Sequence, residues 1–168
     1  MQKITAKVDR QATSLLDITL GSNVIVILII IGINIVNLVR ANSAEGALVN
    51  AAPPGLVVIV SLALVLYLAY GCWGAFSTRR RLGKVFVSLD DTGVSGVSLP
   101  NPTSAEQAEE FSIPYAQISS VSIDGVALTK KHTVLSLKIE SGERAYHVPA
   151  PEGLKELVKQ IADQMTAK

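Results

Sequence analysis

Charge is missing from this sequence in two long places. Residues 18–39 and 56–76 contain no Asp, Glu, Lys or Arg. The chain is poor elsewhere too. Its one cysteine, Cys72, lies inside the second of these runs, which excludes an intrachain disulfide and a thiolate metal cluster. Its two histidines, His132 and His147, fall in neither a paired-His nor a His-x-x-Glu spacing, so no metal site is read from them. Fifteen basic residues against fourteen acidic ones leave no basic excess for a nucleic-acid-binding face. No serine sits in a Gly-x-Ser-x-Gly turn. Gly93-Val94-Ser95-Gly96 lacks the lysine and the strand–loop–helix setting of a phosphate loop. The acidic pairs Asp90-Asp91 and Glu109-Glu110 read as turn and loop charges. With no catalytic constellation, the chain is expected not to be an enzyme and to need no cofactor.

What is present begins with the two runs themselves. At about 1.5 Å per residue, roughly 20 helical residues cross a hydrocarbon core of about 30 Å. Both runs are long enough, and together they predict a transmembrane hairpin over residues 18–78. Its spans are 18–39 and 56–76, its outer loop 40–55, with Pro53 and Pro54 stopping the chain before the second helix. Residues 1–17 are expected to be a cytoplasmic tail whose Ile4, Val8, Leu15 and Leu16 suit a short interfacial helix. Lys3, Lys7 and Arg10 precede the hairpin, Arg79-Arg80-Arg81 and Lys84 follow it, and the loop between offers only Arg40. The positive-inside rule then puts both termini in the cytoplasm. Tyr67, Tyr70 and Trp73 lie toward the cytoplasmic end of the second span, where amphipathic rings favour the headgroup zone. A signal peptide over residues 1–44 is the rival reading. It is disfavoured by the full membrane length of the first run and by Arg40 ahead of the loose cleavage site Ala41-Asn42-Ser43-Ala44.

Polar residues inside the spans need partners. Asn34 and Asn37 share one face of the first helix, and Asn34 is expected at the depth of Ser61, giving a hydrogen bond across the hairpin or between subunits. Gly71 and Ala75 give the small-xxx-small spacing of close helix contact. Arg79, Arg80, Arg81 and Lys84 read first as a topology signal and second as an attraction for anionic headgroups. Lys130 and Lys131 are the other compact basic group.

From residue 79 the pattern changes to alternation. Val85, Val87 and Leu89 predict a half-buried strand, and Asp90-Asp91-Thr92-Gly93 has the composition to reverse it into a second strand over residues 94–99. Residues 103–109 read as loop. Phe111, Ile113 and Tyr115 give a third strand, with Pro114 at an edge or an end. Ile118, Val121 and Ile123 give a fourth, ending at Asp124-Gly125. The fifth, residues 133–140, is expected to turn Leu135, Leu137 and Ile139 inward and Ser136, Lys138 and Glu140 outward. Residues 144–148 give a sixth, on which His147 is expected to be exposed. Leu154, Leu157, Val158, Ile161, Ala162 and Met165 then recur at helical spacing, with Pro151 in the first turn. The fold class is therefore a membrane α-helical hairpin plus an antiparallel barrel or sandwich capped by a C-terminal helix, in residues 79–168.

Residues 87–94 (Val-Ser-Leu-Asp-Asp-Thr-Gly-Val), residues 111–121 (Phe-Ser-Ile-Pro-Tyr-Ala-Gln-Ile-Ser-Ser-Val) and the terminal helix resemble the pleckstrin-homology-like superfold. More narrowly, they resemble the bacterial PH-like domains attached to short transmembrane hairpins. Six strands are read where that superfold has seven. The resemblance implies a binding domain and ring-like self-association. It also places phosphoinositide binding in some relatives at the loop between the first two strands. That loop is taken here as Asp90-Asp91-Thr92-Gly93, whose acidity repels phosphate. The expected function is a membrane-anchored binding or scaffold module at the bacterial inner membrane. Its partners would be the bilayer and either itself or another membrane protein. Anionic-lipid sensing through Arg79–Lys84 and Lys130-Lys131 is the second reading; a small channel subunit built on Asn34 and Asn37 is the third.

Overall fold

The computed structural model describes residues 4–41, 54–103, 108–128 and 132–166. The chain divides into two compact units. One holds the residues up to Leu15 together with those from Ser77 onward; the other is Leu16–Phe76.

Among the described residues, the first unit carries seven strands in two antiparallel sheets. Strand β1 (Ile4–Lys7) precedes two long helices, α1 (Arg10–Ala41) and α2 (Pro54–Leu82). Strands β2 (Phe86–Leu89), β3 (Gly93–Ser98) and β4 (Glu109–Pro114) follow, with β4 running into a 3-10 turn, Tyr115–Gln117. Then come β5 (Ser120–Ala127), β6 (Thr133–Ser141), β7 (Arg144–Pro149) and the terminal helix α3 (Leu154–Thr166). The sheet orders are β1-β2-β3-β4 and β5-β6-β7.

The amino-terminal segment departs from expectation. No interfacial helix forms over its first described residues. Ile4–Lys7 is a strand that pairs with β2, placing Lys7 opposite Phe86, and α1 already begins at Arg10. This supplies the seventh strand and changes the topology. The connection between the first two strands is the entire pair of long helices. The turn Asp90-Asp91-Thr92-Gly93 joins the second strand to the third, not the first to the second. Its chemistry is as expected: Asp90 Oδ1 accepts hydrogen bonds from the Thr92 and Gly93 amides at 2.8 and 3.0 Å, an Asx turn that folds β3 back on β2.

Close backbone approach fixes two glycines. A Cβ on Gly93 would collide with the carbonyl oxygen of Ile113, and one on Gly96 with that of Phe86. The buried Tyr115 closes this corner, donating its hydroxyl to the Asp90 carbonyl at 3.1 Å and its amide to Thr92 O. Burial raises the Tyr115 hydroxyl pKa, with the carboxylates of Asp90 and Asp91 adding to the effect. Pro114 ends an edge strand, where its missing N–H is tolerated.

The core joins Val87, Leu89, Val94 and Leu99 to Leu137, Ile139, Val148 and, from α3, Leu157 and Ile161. Hydrogen bonds close the sheets on one another: Leu99 N donates to His147 O at 2.7 Å, and His147 N to the Ser98 side-chain Oγ at 2.9 Å. Lys7 O accepts from Glu152 N at 2.8 Å, and Val8 bridges Pro151, so β1 is also held by the segment leading to α3. Pro151 therefore serves that bridge instead of the first turn of α3.

Several inward and outward assignments are corrected. Leu135 is 59% exposed, because its cross-strand neighbour Gly125 offers no side chain to cover it. Ser136, expected outward, is buried. Strand β5 continues past Asp124-Gly125 to Ala127, and Glu109 belongs to β4. His147 is half-buried.

In the second unit both helices are long and apolar enough to cross a membrane. Along α1, from Leu16 on, the less exposed positions are Leu16, Thr19, Leu20, Gly21, Asn23, Ile27, Ile30 and Asn34. Along α2, up to Ala75, they are Val57, Ser61, Val65, Leu68, Gly71, Cys72 and Ala75. Steps of three and four put most of these positions on one stripe of each helix, here called its seam. The two helices meet closely at Gly71, where a Cβ would stand 3.0 Å from Asn23 Nδ2.

Candidate functional site

Three polar groupings stand out, and the first lies where the chain enters and leaves the two long helices. The β1–β2 register sets Lys7 beside Phe86, and a cavity of about 250 Å³ opens there, lined by Thr5, Lys7, Thr13, Lys84 and Phe86 among others. Lys7 and Lys84, 77 residues apart in sequence, thus share one cavity wall. Arg10 opens α1, with Asp9 as its N-cap: Asp9 Oδ1 accepts from the Gln11 amide at 2.9 Å. Arg79, Arg80 and Arg81 occupy the last turn of α2, where cations complement the helix dipole. Arg81 donates Nε to Ser77 O at 3.4 Å, while its Nη1 is buried without a hydrogen-bond partner. Arg79 and Arg80 are exposed. Of the residues assigned from sequence to headgroup contact, Arg79, Arg80, Arg81 and Lys84 fall in this region. Lys130 and Lys131 lie outside the described residues. Sequence alone makes Lys7 no more than a topology signal; its pairing with the segment after α2 depends on a strand register that no local pattern announces.

The second grouping is inside the apolar unit. Asn34 sits on the α1 seam and Ser61 on that of α2. Counting from the contact of Asn23 with Gly71, Asn34 lies 11 residues along α1 (34 − 23) and Ser61 lies 10 along α2 (71 − 61). In an antiparallel pair they stand at the same depth to within about 1.5 Å. Asn34 Nδ2 donates to Ile30 O of its own helix at 2.8 Å, a local route for one amide proton that needs no partner helix. Asn37 is exposed, off the seam. The contact that sequence reasoning missed is Asn23 on Gly71, signalled only by the shared three–four spacing of Asn23 and Asn34.

The third grouping crosses β5–β7. Lys138 Nζ meets Glu140 Oε1 at 2.8 Å, and Ser120 donates to Glu140 Oε2 at 2.6 Å. The hydrogen bond from Lys138, then that from Ser120, lowers the Glu140 pKa, and the same ion pair raises that of Lys138. His147, the cross-strand neighbour of Lys138, has its pKa lowered, first by partial burial and then by the Lys138 charge; Asp124 and Glu140 oppose this. Its Nδ1 is buried without a hydrogen-bond partner. Tyr146 stacks on Phe111 with ring centroids 5.0 Å apart, and Arg144 approaches Glu109 at 3.8 Å. The last two contacts link β4 to β7 and so tie the two sheets together. Among the described residues, no three His, Cys, Asp or Glu side chains group closely enough to hold a metal ion.

No family model, curated protein or solved structure matches the chain.

Proposed function

We propose that this chain is a membrane-anchored binding module, a PH-like domain carrying a two-pass hairpin in the connection between its first two strands. The hairpin fixes the domain at the cytoplasmic face of a bacterial inner membrane. The domain serves there as a scaffold or as an accessory subunit of a larger assembly, with no catalytic role. The observation that carries this reading is the pairing of Ile4–Lys7 with Phe86–Leu89 on either side of the two apolar helices. Two strands in one sheet hold both ends of the hairpin on one side of the bilayer, in agreement with the distribution of Lys and Arg. A hairpin anchored at both ends restricts the domain's orientation far more than a single tether does. That restriction suits a subunit whose binding face must meet a neighbour in a set geometry. Seven antiparallel strands in sheets of four and three, followed by a packed helix, support the PH-like assignment. Purification in mild detergent from native membranes, with mass analysis of the intact assembly, tests the role. A defined homo-oligomer or a stoichiometric partner is the expected result. A bare monomer would sink the scaffold reading.

Anionic-lipid sensing is the second reading, favoured by one observation: Lys7 and Lys84 line the same cavity beside the ends of the two helices. Each cation near an anionic surface adds about 1 kcal/mol of attraction. Phosphatidylglycerol retained by the intact protein, and lost in the Lys7→Gln, Lys84→Gln double variant, would support it. Equal retention by both proteins would exclude it.

A further inference from the structure

The two sheets have four edges, and three of them are closed or guarded. Strand β1 is short, and its outer side is bonded to the segment before α3. There Lys7 O accepts from Glu152 N, and Asp9 N donates to Ala150 O at 2.7 Å. On β7, Ser98 and Leu99 satisfy the outward amide and carbonyl of His147, and the next outward position, Pro149, has no N–H. On β4, the bond from Tyr115 N to Thr92 O extends the β3–β4 ladder and turns the backbone groups of Glu110, Ser112 and Pro114 outward. A carboxylate and a proline guard that edge.

Strand β5 is the exception. Leu128 N donates to His132 O, which continues the β5–β6 ladder and assigns its hydrogen-bonded pairs to the even-numbered residues of β5. The backbone groups of Val121, Ile123, Gly125 and Ala127 therefore point away from β6. Among the described residues, the one hydrogen bond that reaches them is local, from the Gly125 amide to Asp124 Oδ1 at 2.7 Å. Ser122, Ile123, Asp124 and Gly125 are exposed, and the strand holds neither lysine nor proline; Asp124 is its sole charge. An unguarded edge of this kind is a template for another strand.

We propose that β5 is a self-association edge, on which β5 of a second copy pairs antiparallel about a two-fold axis at Ile123. The strand complements itself in that register. Ile123 lies opposite Ile123 of the second copy, Val121 opposite its Gly125, and Ser122 opposite its Asp124. About six backbone hydrogen bonds form, two for each outward pair. Each Asp124 meets a serine hydroxyl on a row that continues to Lys138, the cross-strand neighbour of Ser122. Neighbouring registers fit worse. An axis at Asp124 sets two carboxylates face to face. One at Ser122 brings Asp124 against Ser120, whose hydroxyl already serves Glu140. A pairing this small falls short of the roughly 800 Å² per partner of a stable dimer in solution. It suits copies that a shared membrane concentrates, so the inference rests on the membrane-anchored scaffold reading.

The test co-expresses two differently tagged full chains, both Cys72→Ser, one with Ser122→Cys and the other with Asp124→Cys. Both cysteines replace exposed side chains and fall on a closely spaced pair of the proposed register. Oxidation in native membranes is expected to give the mixed disulfide in several-fold higher yield than either variant gives with itself. Ile123→Lys in both chains, which supplies a guard, should abolish it. Ile123→Pro, which removes an outward amide that the sheet does not use, should do the same. Equal yields of mixed and like disulfides, or a mixed disulfide that survives both changes at Ile123, would overturn the inference. So would its absence. If mass analysis of the intact assembly then still shows a homo-oligomer or a stoichiometric partner, the scaffold reading stands without β5; a bare monomer would sink both.

Discussion

The two units of this protein use the same aliphatic residues in opposite ways. In the sheet unit Leu137, Ile139 and Val148 are wholly buried; in the helical unit Leu28 is 63% exposed, and Ile25, Ile33, Leu38 and Leu62 are exposed as well. An isolated pair of helices in water has no means of offsetting so much apolar surface. The sheet unit makes its own interior; the helical unit has two helices long and apolar enough to cross a membrane, and under the proposed anchor lipid would cover them while each helix satisfies its backbone within itself.

The sharpest way to break the comparison is to spoil the interior that the sheet unit makes for itself. Gly93→Val drives a side chain into the Ile113 carbonyl and is expected to cost more than about 3 kcal/mol. Limited proteolysis should then digest the sheet unit and spare the apolar helices. Next comes a matched pair of leucines. Leu137→Ala removes packing at a fully buried site and should destabilise the sheet unit by about 3 kcal/mol in denaturant titration. Leu28→Ala should change little. Leu28→Lys, harmless on a soluble helix, should weaken insertion by about 3 kcal/mol in a membrane-integration assay. If Leu28→Lys integrates as well as the parent chain, lipid does not cover α1.

Tyr115→Phe is smaller still, removing the hydrogen bond to Asp90 O for a loss of about 1 kcal/mol in the same titration. The mildest effect concerns pH. The His147 pKa is held below its ordinary value, so the unfolded chain binds the proton first as pH falls. Stability should therefore be full above about pH 6.5 and decline below it. His147→Gln should flatten that decline. A decline of equal slope in the variant would assign it to other groups.

The long helices are legible in the sequence because a charge-free apolar run of about 20 residues, the length a bilayer would demand, stands out from what surrounds it. Strands β2–β7 and α3 are legible from alternation and turn chemistry, Asp90-Asp91-Thr92-Gly93 above all. Strand β1 is not. Four residues carry too little pattern, and its partner stands about 80 positions away, beyond both helices. The same gap hides the meeting of Lys7 with Lys84. Leu135 is misassigned because alternation selects a face but cannot see that Gly125 leaves that face uncovered. Counting along the two helices brings Asn34 and Ser61 to one depth, but the bond from the Asn34 amide to Ile30 O depends on local geometry.

The central claim is that β1 and β2 close one sheet across the helices. Thr5 and Ser88 are cross-strand partners whose hydroxyl oxygens lie 3.2 Å apart. A Thr5→Cys, Ser88→Cys double variant on a Cys72→Ser background, oxidised in native membranes, tests it most directly. The expected result is an intrachain disulfide in high yield that vanishes when Ser88→Cys is replaced by Glu143→Cys. Two free thiols after oxidation would contradict the closure and return the amino terminus to a separate tail.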